Sequence, residues 1–465
     1  MGPMTELAGR KVAVVGLARS GIAAANFLLA RGAAVTVVDS KPAEALAGAL
    51  QQLAGRVGTR LGPHRDDALV DMELVVLSPG VPPEIPPVRE ARGQGIPVWS
   101  EVELAWRFLP GRFVGVTGSN GKTTTTALLA AILASSGFDT VAAGNIGTPL
   151  SRFLLERELS EERVYVVELS SFQLETVDAF RCEVGLLLNL SPDHLDRYPD
   201  VESYYGAKLR LFLNQRSTDS AVVRADLAER VARVTPARIL PFSSVPLDGD
   251  GAMVEGDLIR LRLGGRGRKL MKVSEVPLKG RHNLENVLAA ILAARLMGAA
   301  PDRLRRGVRS FRGVEHRIEF VSEIDGVRYY NDSKATNVDS TARAFESFEQ
   351  PIVAIMGGLD KGGDFSTLRR LVRERVKSLV LIGKAAGKLE AALGDCAVTR
   401  RAGDLREAVA LATGMAKSGD VVLLSPACAS FDMFTDFEDR GRIFKRLVRE
   451  LQKRPVESAG RGKHQ

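Results

Sequence analysis

The densest chemistry in the sequence lies in Thr117-Gly118-Ser119-Asn120-Gly121-Lys122-Thr123-Thr124. An apolar run, Arg112 to Val116, precedes it and reads as a buried strand. An alanine- and leucine-rich run, Thr125 to Ala134, follows it and reads as a helix. A glycine turn between strand and helix aims backbone N–H groups and the positive end of the helix dipole at one point. Lys122 adds a mobile ammonium, and Thr123 a hydroxyl placed to ligate Mg²⁺. Gly118, Ser119, Asn120, Gly121, Lys122, Thr123 and Thr124 are therefore expected to grip a nucleotide triphosphate. The usual pattern has a glycine five residues before Gly121, where Val116 stands. The loop is a shortened variant with Gly118 as its first glycine.

Other polar residues follow apolar runs in the same way. Glu168 ends Val164–Val167, where a carboxylate beside a phosphate loop supplies a Mg²⁺ ligand. Asn145 sits in Gly144-Asn145-Ile146-Gly147, and His194 in Ser191-Pro192-Asp193-His194-Leu195-Asp196 just past another strand. Thr123, Glu168 and His194 together suit one or two Mg²⁺ ions. Lys208, taken by its residue type alone, is a helix lysine whose default is solvent exposure. Asn283 and Asn286 share one helical face at i,i+3, where Asn283 serves as a cap or both amides read a base edge. Near the N-terminus, Gly16-Leu17-Ala18-Arg19-Ser20-Gly21 follows a strand and Asp39 closes the next, a degenerate dinucleotide fingerprint. The turn Ser78-Pro79-Gly80 completes a candidate nucleotide-diphosphate pocket. Toward the C-terminus, His316-Arg317, Asn331 to Asn337, Gly357 to Lys361 and Ser425 to Asp432 are polar clusters at strand ends. There Arg317, Lys334 and Lys361 suit anionic groups.

These residues need strands and helices to position them. The chain has 465 residues, and a prior of about 150 per domain gives roughly three domains. Each third alternates short apolar strands with helical patterns, the mark of parallel α/β sheets. Strands are expected at Lys11–Val15, Ala34–Val38 and Leu74–Leu77; at Val164–Val167 and Gly185–Leu188; and at Val327–Tyr330, Ile352–Met356, Leu379–Ile382 and Val421–Leu424. A helix is expected from Asn283 to about Met297. The boundaries place domains at 1–100, 101–312 and 313–465: a Rossmann-like domain, a central mononucleotide-type domain, and a second Rossmann-like domain. Open α/β sheets bind ligands beyond the carboxyl ends of their strands, which is where the candidates lie.

Composition excludes several classes. Apolar content of 45% with 26% charged residues is globular. Cys182, Cys396 and Cys428 are far apart and odd in number, which favours a reducing cytoplasm over a disulfide framework. No run is long and apolar enough to cross a membrane. The N-terminal apolar stretch, broken by Arg19, Asn26 and Arg31, is neither signal peptide nor anchor. Net charge is +8, but nine Lys/Arg against two Glu fall from Arg440 onward. A solvated basic helix with a frayed tail accounts for that, and nucleic-acid binding is not expected.

With these motifs in order, the chain resembles the Mur ligases, and within them the branch that adds D-glutamate. The resemblance rests on the shortened loop 117–124, on Glu168 to Glu175, on Asp193 to Tyr198, on Asn331 to Asn337 and on Ser425 to Asp432. It implies an ATP-dependent amide ligase acting on UDP-N-acetylmuramoyl-L-alanine and D-glutamate through an acyl phosphate, as a cytoplasmic monomer. It implies that Arg19, Ser20, Asp39, Ser40, Lys41, Gly80 and Asn145 hold the UDP-sugar. Lys122, Glu168, His194 and Lys208 become the candidate catalytic residues, with Thr123, Glu168, His194 and Lys208 around two Mg²⁺ sites. Lys208 would be carbamylated, a neutral amine turned by CO₂ into an anionic metal ligand. Asn283, Asn286, Arg317 and Asp332 would contact adenosine and phosphates, and Lys334, Thr336, Lys361, Ser430 and Phe437 the D-glutamate. Two rival readings leave residues idle. A nicotinamide-dependent oxidoreductase has no use for the phosphate loop, and an ATP-driven switch has none for the C-terminal clusters.

Overall fold

A computed structural model of the chain describes residues 6–145, 147–192, 197–278, 280–360 and 362–452. Two candidate residues, His194 and Lys361, lie outside the described residues. The chain divides into two compact units, Met1–Pro277 with Arg281–Phe311, and Leu278–Gly280 with Arg312–Gln465.

The first unit holds two sheets. The N-terminal sheet contains β1 (Lys11–Val15), β2 (Ala34–Asp39), β3 (Gly58–Leu61), β4 (Leu74–Leu77) and β5 (Val98–Ser100), all parallel in the order β3-β2-β1-β4-β5. Val12–Val15 and Leu74–Leu77 are buried, as a parallel sheet covered on both faces requires. The edge strand β3 reads Gly-Thr-Arg-Leu, too polar to be legible as a strand. The proline-rich stretch 82–97 contains a helix, Pro86–Gly93, that starts on proline where no N–H is lost.

The second sheet of this unit has nine strands. They are β6 (Arg112–Thr117), β7 (Thr140–Gly144), β8 (Val164–Glu168), β9 (Val184–Leu187), β10 (Ser220–Arg224), β11 (Arg238–Ser243), β12 (Gly251–Glu255), β13 (Leu258–Leu263) and β14 (Arg266–Lys272). Their order is β14-β13-β12-β11-β10-β9-β6-β8-β7. After β6 the chain builds β7 and β8 on one side, then crosses to place β9 on the other. The carboxyl end of β6 is therefore a topological switch point, the place where open α/β sheets form their ligand crevice.

The second unit carries β15 (Glu319–Ile324), β16 (Val327–Asn331), β17 (Ile352–Gly357), β18 (Val376–Ile382), β19 (Val398–Arg401) and β20 (Val421–Leu424). They are ordered β15-β16-β20-β17-β18-β19, parallel except for β15 against β16. The expected strands recur within a few residues, because each is an apolar run closed by a polar or glycine turn. The expected helix at Asn283 begins two residues earlier, spanning Arg281–Leu296, so Asn283 lies in its first turn and not at its cap.

Close packing fixes the first strand–helix turn. Gly16 adopts φ +87°, and a Cβ there would crowd Val81 and Ser78. Gly21, inside the helix Arg19–Ala30, lies against the Gly16 carbonyl, which any Cβ at Gly21 would strike. Gly21→Ala must therefore push the helix off the strand. Overpacking of that kind costs about 2 kcal/mol, and the urea unfolding midpoint is expected to fall accordingly. An unchanged midpoint would show that the turn tolerates the methyl group.

Candidate functional site

The phosphate loop leaves β6 and turns into the helix Lys122–Ser135. That helix starts three residues earlier than the sequence suggests, which places Lys122 and Thr123 in its first turn. Gly118 (φ +151°) and Gly121 (φ +81°) take backbone conformations that side chains disfavour. The loop is strapped to the segment after β9. Ser119 N–H donates to Asn189 O (3.0 Å), Asn120 N–H to Asn189 Oδ1 (2.8 Å), and Ser119 Oγ to Ser191 O (2.8 Å). Lys122 Nζ donates to the carbonyls of Gly118 (2.9 Å) and Ser119 (3.0 Å). The ammonium thus lies over the loop that is expected to hold phosphates.

Glu168 ends β8 in register with Val116 of β6, and it is almost wholly buried (1% exposed). Its Oε1 accepts from Asn145 Nδ2 at 2.8 Å, while Oε2 is buried with no hydrogen-bond partner among the described residues. A buried carboxylate oxygen left bare is costly unless something occupies it. Thr123, in the first turn of the helix that follows β6, is also buried, and a carboxylate and a hydroxyl are oxygen donors of the kind Mg²⁺ takes. Asn145 is brought to Glu168, by side chain and by a backbone bond to the Glu168 carbonyl (2.9 Å). It does not line the first-domain cleft.

Lys208 corrects the default drawn from its residue type. It ends the helix Val201–Leu209 fully buried (1% exposed), with Nζ 3.0 Å from the Gly118 carbonyl and 4.4 Å from the Tyr204 ring centroid. Tyr204 in turn donates its hydroxyl to Ser119 Oγ at 3.3 Å. The lysine therefore belongs to the phosphate-loop cluster. On the other side of the loop, a Cβ on Gly121 would strike the side-chain amide of Asn286, and Asn286 Nδ2 donates to Asn283 Oδ1 (3.3 Å). The expected i,i+3 pair is thus formed against the turn into the helix.

In the N-terminal sheet, Arg19, Ser20, Asp39, Ser40, Lys41 and Gly80 all line one cleft of about 710 Å³ at the strand ends. His64 also lines it, from a loop after β3 that sequence reasoning passed over. The Asp39 carboxylate accepts from the Leu17 (2.8 Å) and Lys41 (3.0 Å) backbone N–H groups, so it shapes the turn as well as facing the cleft.

The second unit gathers its own cluster. Asp332 is buried; Oδ2 accepts from Ser425 Oγ (2.9 Å) and Oδ1 from the Ile318 N–H (3.2 Å). Burial outweighs these bonds and the nearby Arg317 and Arg440, pushing its carboxyl up to about 7. Lys334 Nζ lies 5.0 Å from the Phe437 ring centroid, and Thr336 N–H donates to the Lys334 carbonyl (2.8 Å). Ser430 is buried, its carbonyl accepting from Met433 and Phe434.

Sequence reasoning missed the residue that holds this cluster. Arg440 lies in the helix Phe437–Gln452, assigned above to solvent, yet it is 0% exposed. Its guanidinium donates to Ser333 Oγ (2.9 Å) and to the carbonyls of Ser333 (2.8 Å), Cys428 (3.2 Å), Gly357 (3.4 Å) and Ala429 (3.4 Å). Burial pulls its pKa down to about 10. Lys445, also largely buried, pairs with Glu315 and Glu319. A signal was available: Arg440 shares one helical stripe with Phe444, Leu447 and Val448.

Three family models match in succession. They are the Mur ligase MurD-like N-terminal domain over residues 10–100, the Mur ligase middle domain over 116–294, and the Mur ligase glutamate ligase domain over 316–428. The chain is 46% identical over 450 residues to a UDP-N-acetylmuramoylalanine--D-glutamate ligase of Koribacter versatilis, covering 96% of this chain and 98% of that one. It is 46% identical to one of Desulfitobacterium hafniense, covering 97% and 100%. A MurF ligase of Thermotoga maritima, solved in complex with ADP, superposes with a TM-score of 0.58 at 17% identity, covering 96% of both chains. At that identity the likeness speaks for the fold alone.

The Asp332 carboxyl carries a pH signature. Its folded pKa lies above the ordinary 3.8, so between about pH 4 and pH 7 the folded chain holds a proton that the unfolded chain has released. This contribution is fully present below pH 4 and is lost as pH rises toward 7, by up to about 1.4 kcal/mol per pH unit. Asp332→Asn keeps an acceptor for the Ile318 N–H and turns an amide NH₂ toward the Ser425 hydroxyl, which can accept as well as donate, with no group left to titrate. The stability advantage of this variant over wild type should grow from pH 4 to 7 in chemical denaturation and then level off. Parallel curves would mean that the carboxyl is already ionised at pH 4.

Proposed function

Because the chain belongs to the Mur ligase family, we propose that it is the ATP-dependent ligase that joins D-glutamate to UDP-N-acetylmuramoyl-L-alanine in peptidoglycan precursor synthesis. The observation that carries the reading is the bare, buried Glu168 Oε2 at the strand end beside the phosphate loop. The names of the full-length relatives point to the same reaction.

A carboxylate does not acylate an amine in water, because its oxygen is too poor a leaving group. In the proposed reaction the alanyl carboxylate oxygen attacks the γ-phosphorus of ATP and the bond to ADP breaks. The amine of D-glutamate then attacks the acyl carbon, the bond to phosphate breaks, and the amine releases a proton. The N–H groups of the loop and the first turn of Lys122–Ser135 hold the phosphates. Lys122 exchanges its carbonyl partners for phosphate oxygens. Asn283 and Asn286, with Arg317 and Asp332, serve adenosine and phosphates. The first-domain cleft takes the UDP-sugar, with Arg19 and Lys41 as cations for its diphosphate. Asn145, expected to contact the UDP-sugar, also holds Glu168 in place. Lys334, Thr336, Lys361, Ser430 and Phe437 receive D-glutamate.

Thr123, Glu168, His194 and a carbamylated Lys208 are the residues that would hold two Mg²⁺ ions. When bound, Mg²⁺ neutralises the charge that spreads over the transferring phosphoryl group. In the carbamate form, Lys208 brings two oxygens where the amine brings none. The protein acts as a monomer in the cytoplasm. Among the described residues no helix is long and apolar enough to cross a membrane.

Phosphate release from ATP tests the reading, measured with the UDP-muramoyl-alanine nucleotide in the presence and absence of D-glutamate. Sustained release is expected only with both, and not when L-alanine or L-lysine replaces D-glutamate. Release indifferent to both substrates would sink the ligase reading in favour of a switch. Lys208→Met, which keeps side-chain bulk against Tyr204, should lower kcat about 100-fold or more while leaving the melting temperature nearly unchanged. Wild-type protein in ¹³C-bicarbonate should show a carbamate carbon signal that the variant lacks. A fully active variant would remove the carbamate from the mechanism.

A further inference from the structure

Arg197 is the first described residue after the segment that carries His194, and nothing in the proposed reaction uses it. Its guanidinium carbon stacks 3.8 Å from the ring centroid of Phe172, and Nη2 donates to Glu175 Oε2 at 2.8 Å. Both partners lie just beyond Glu168, around the short helix Ser171–Leu174. A second nitrogen, Nη1, reaches the Pro79 carbonyl at 3.4 Å, in the Ser78–Gly80 turn that walls the first-domain cleft. Arg197 and Glu175 are both largely buried, so the pair is shielded from the screening that weakens surface ion pairs.

The next residue extends the link. Tyr198 donates its hydroxyl to Glu175, and its ring packs on Phe172 (6.1 Å) and on Tyr204 (5.3 Å). Tyr204 reaches Ser119 of the phosphate loop and packs on Lys208. A continuous chain of contacts therefore runs from the cleft wall at Pro79, through Arg197, to Glu175 and Phe172, and on to the phosphate loop.

We propose that Arg197 is a positioning residue that fixes the span between the first-domain cleft and the Glu168–phosphate-loop cluster, so that a substrate anchored in the cleft presents its carboxylate at the γ-phosphate. This rests on the ligase reading above. The anchored UDP and the reacting carboxylate lie at opposite ends of one substrate, and an error in the span misplaces the reacting atoms. The task suits a guanidinium. It stacks on Phe172 with its face while separate N–H groups serve Glu175 and Pro79, which an ammonium cannot do together.

Arg197→Lys keeps the charge and tests the geometry, and Arg197→Met removes both. Because Arg197 does not line the cleft, the Kd of the UDP-muramoyl-alanine nucleotide without ATP should stay within about twofold of wild type, while kcat falls about tenfold or more. The KM for D-glutamate and the melting temperature of Arg197→Lys should be unchanged. If Arg197→Met fails to fold, Arg197→Lys alone decides. Wild-type kcat in Arg197→Lys would overturn the proposal. A loss of kcat matched by a lower melting temperature would reduce Arg197 to a fold residue, and a weakened Kd would make it a substrate contact; either result overturns it too. A wild-type protein inactive with D-glutamate would instead sink the ligase reading, and the same assay distinguishes that failure.

Discussion

The arrangement depends on hydrogen bonds that tie the phosphate loop to the neighbouring strand-end segment instead of to itself. A loop whose N–H groups are to face a ligand cannot spend them all internally, yet a loop with buried, unpaired backbone is costly. Asn189 and Ser191 resolve the conflict. They take the Ser119 and Asn120 N–H groups and the Ser119 hydroxyl, leaving the rest of the turn to the helix dipole. Because β9 lies next to β6 on the far side from β8, this strap holds one side of the switch-point crevice while Glu168 occupies the other. Tyr204 and Lys208 then bond to the strapped loop at Ser119 and Gly118.

The C-terminal unit solves the same problem with a charge. Its strand-end loops after β16, β17 and β20 all direct carbonyls inward, and one guanidinium, Arg440, gathers them. Burying an arginine costs free energy, which the lowered pKa reflects, and five oxygen acceptors offset that cost. Arginine suits the task because its planar fork serves several acceptors at fixed angles. The loops so fixed carry Lys334, Ser430 and the buried Asp332.

Much of this was legible in the sequence, for a physical reason. In parallel α/β sheets a buried strand must be apolar, so the residue where polarity begins marks the strand's end, and ligands bind there. Gly118–Thr124 and Glu168 are legible that way, and so is the Asn331–Asn337 cluster that contains Asp332. Lys208 is not, since its burial comes from Gly118 and Tyr204, and no local pattern records a contact 90 residues away. Arg440 escapes that reading for a different cause: the many charges of its helix mask the stripe it shares with Phe444, Leu447 and Val448. Arg197 combines both difficulties, a basic residue in a loop whose partners, Phe172, Glu175 and Pro79, are 22 to 118 residues distant.

Burial alone does not single out a functional carboxylate, as three glutamates of the first unit demonstrate. Glu103 is fully buried, but both of its oxygens are occupied by the N–H groups of Asp178, Ala179 and Phe180 and by Arg107, so it serves the fold. Glu101 is buried with Oε2 unpartnered among the described residues, and desolvation pushes its carboxyl up, toward the neutral form. Glu168 resembles Glu101 in having one bare oxygen, but its setting differs. It stands at a strand end in register with Val116, with Asn145 donating to its other oxygen and a phosphate loop beside it. Asn145 occupies Oε1 while Oε2 stays bare among the described residues, so one carboxylate oxygen is left for a ligand. Among the three, position at the switch point and the identity of the partner set the candidate ligand apart from the structural acids.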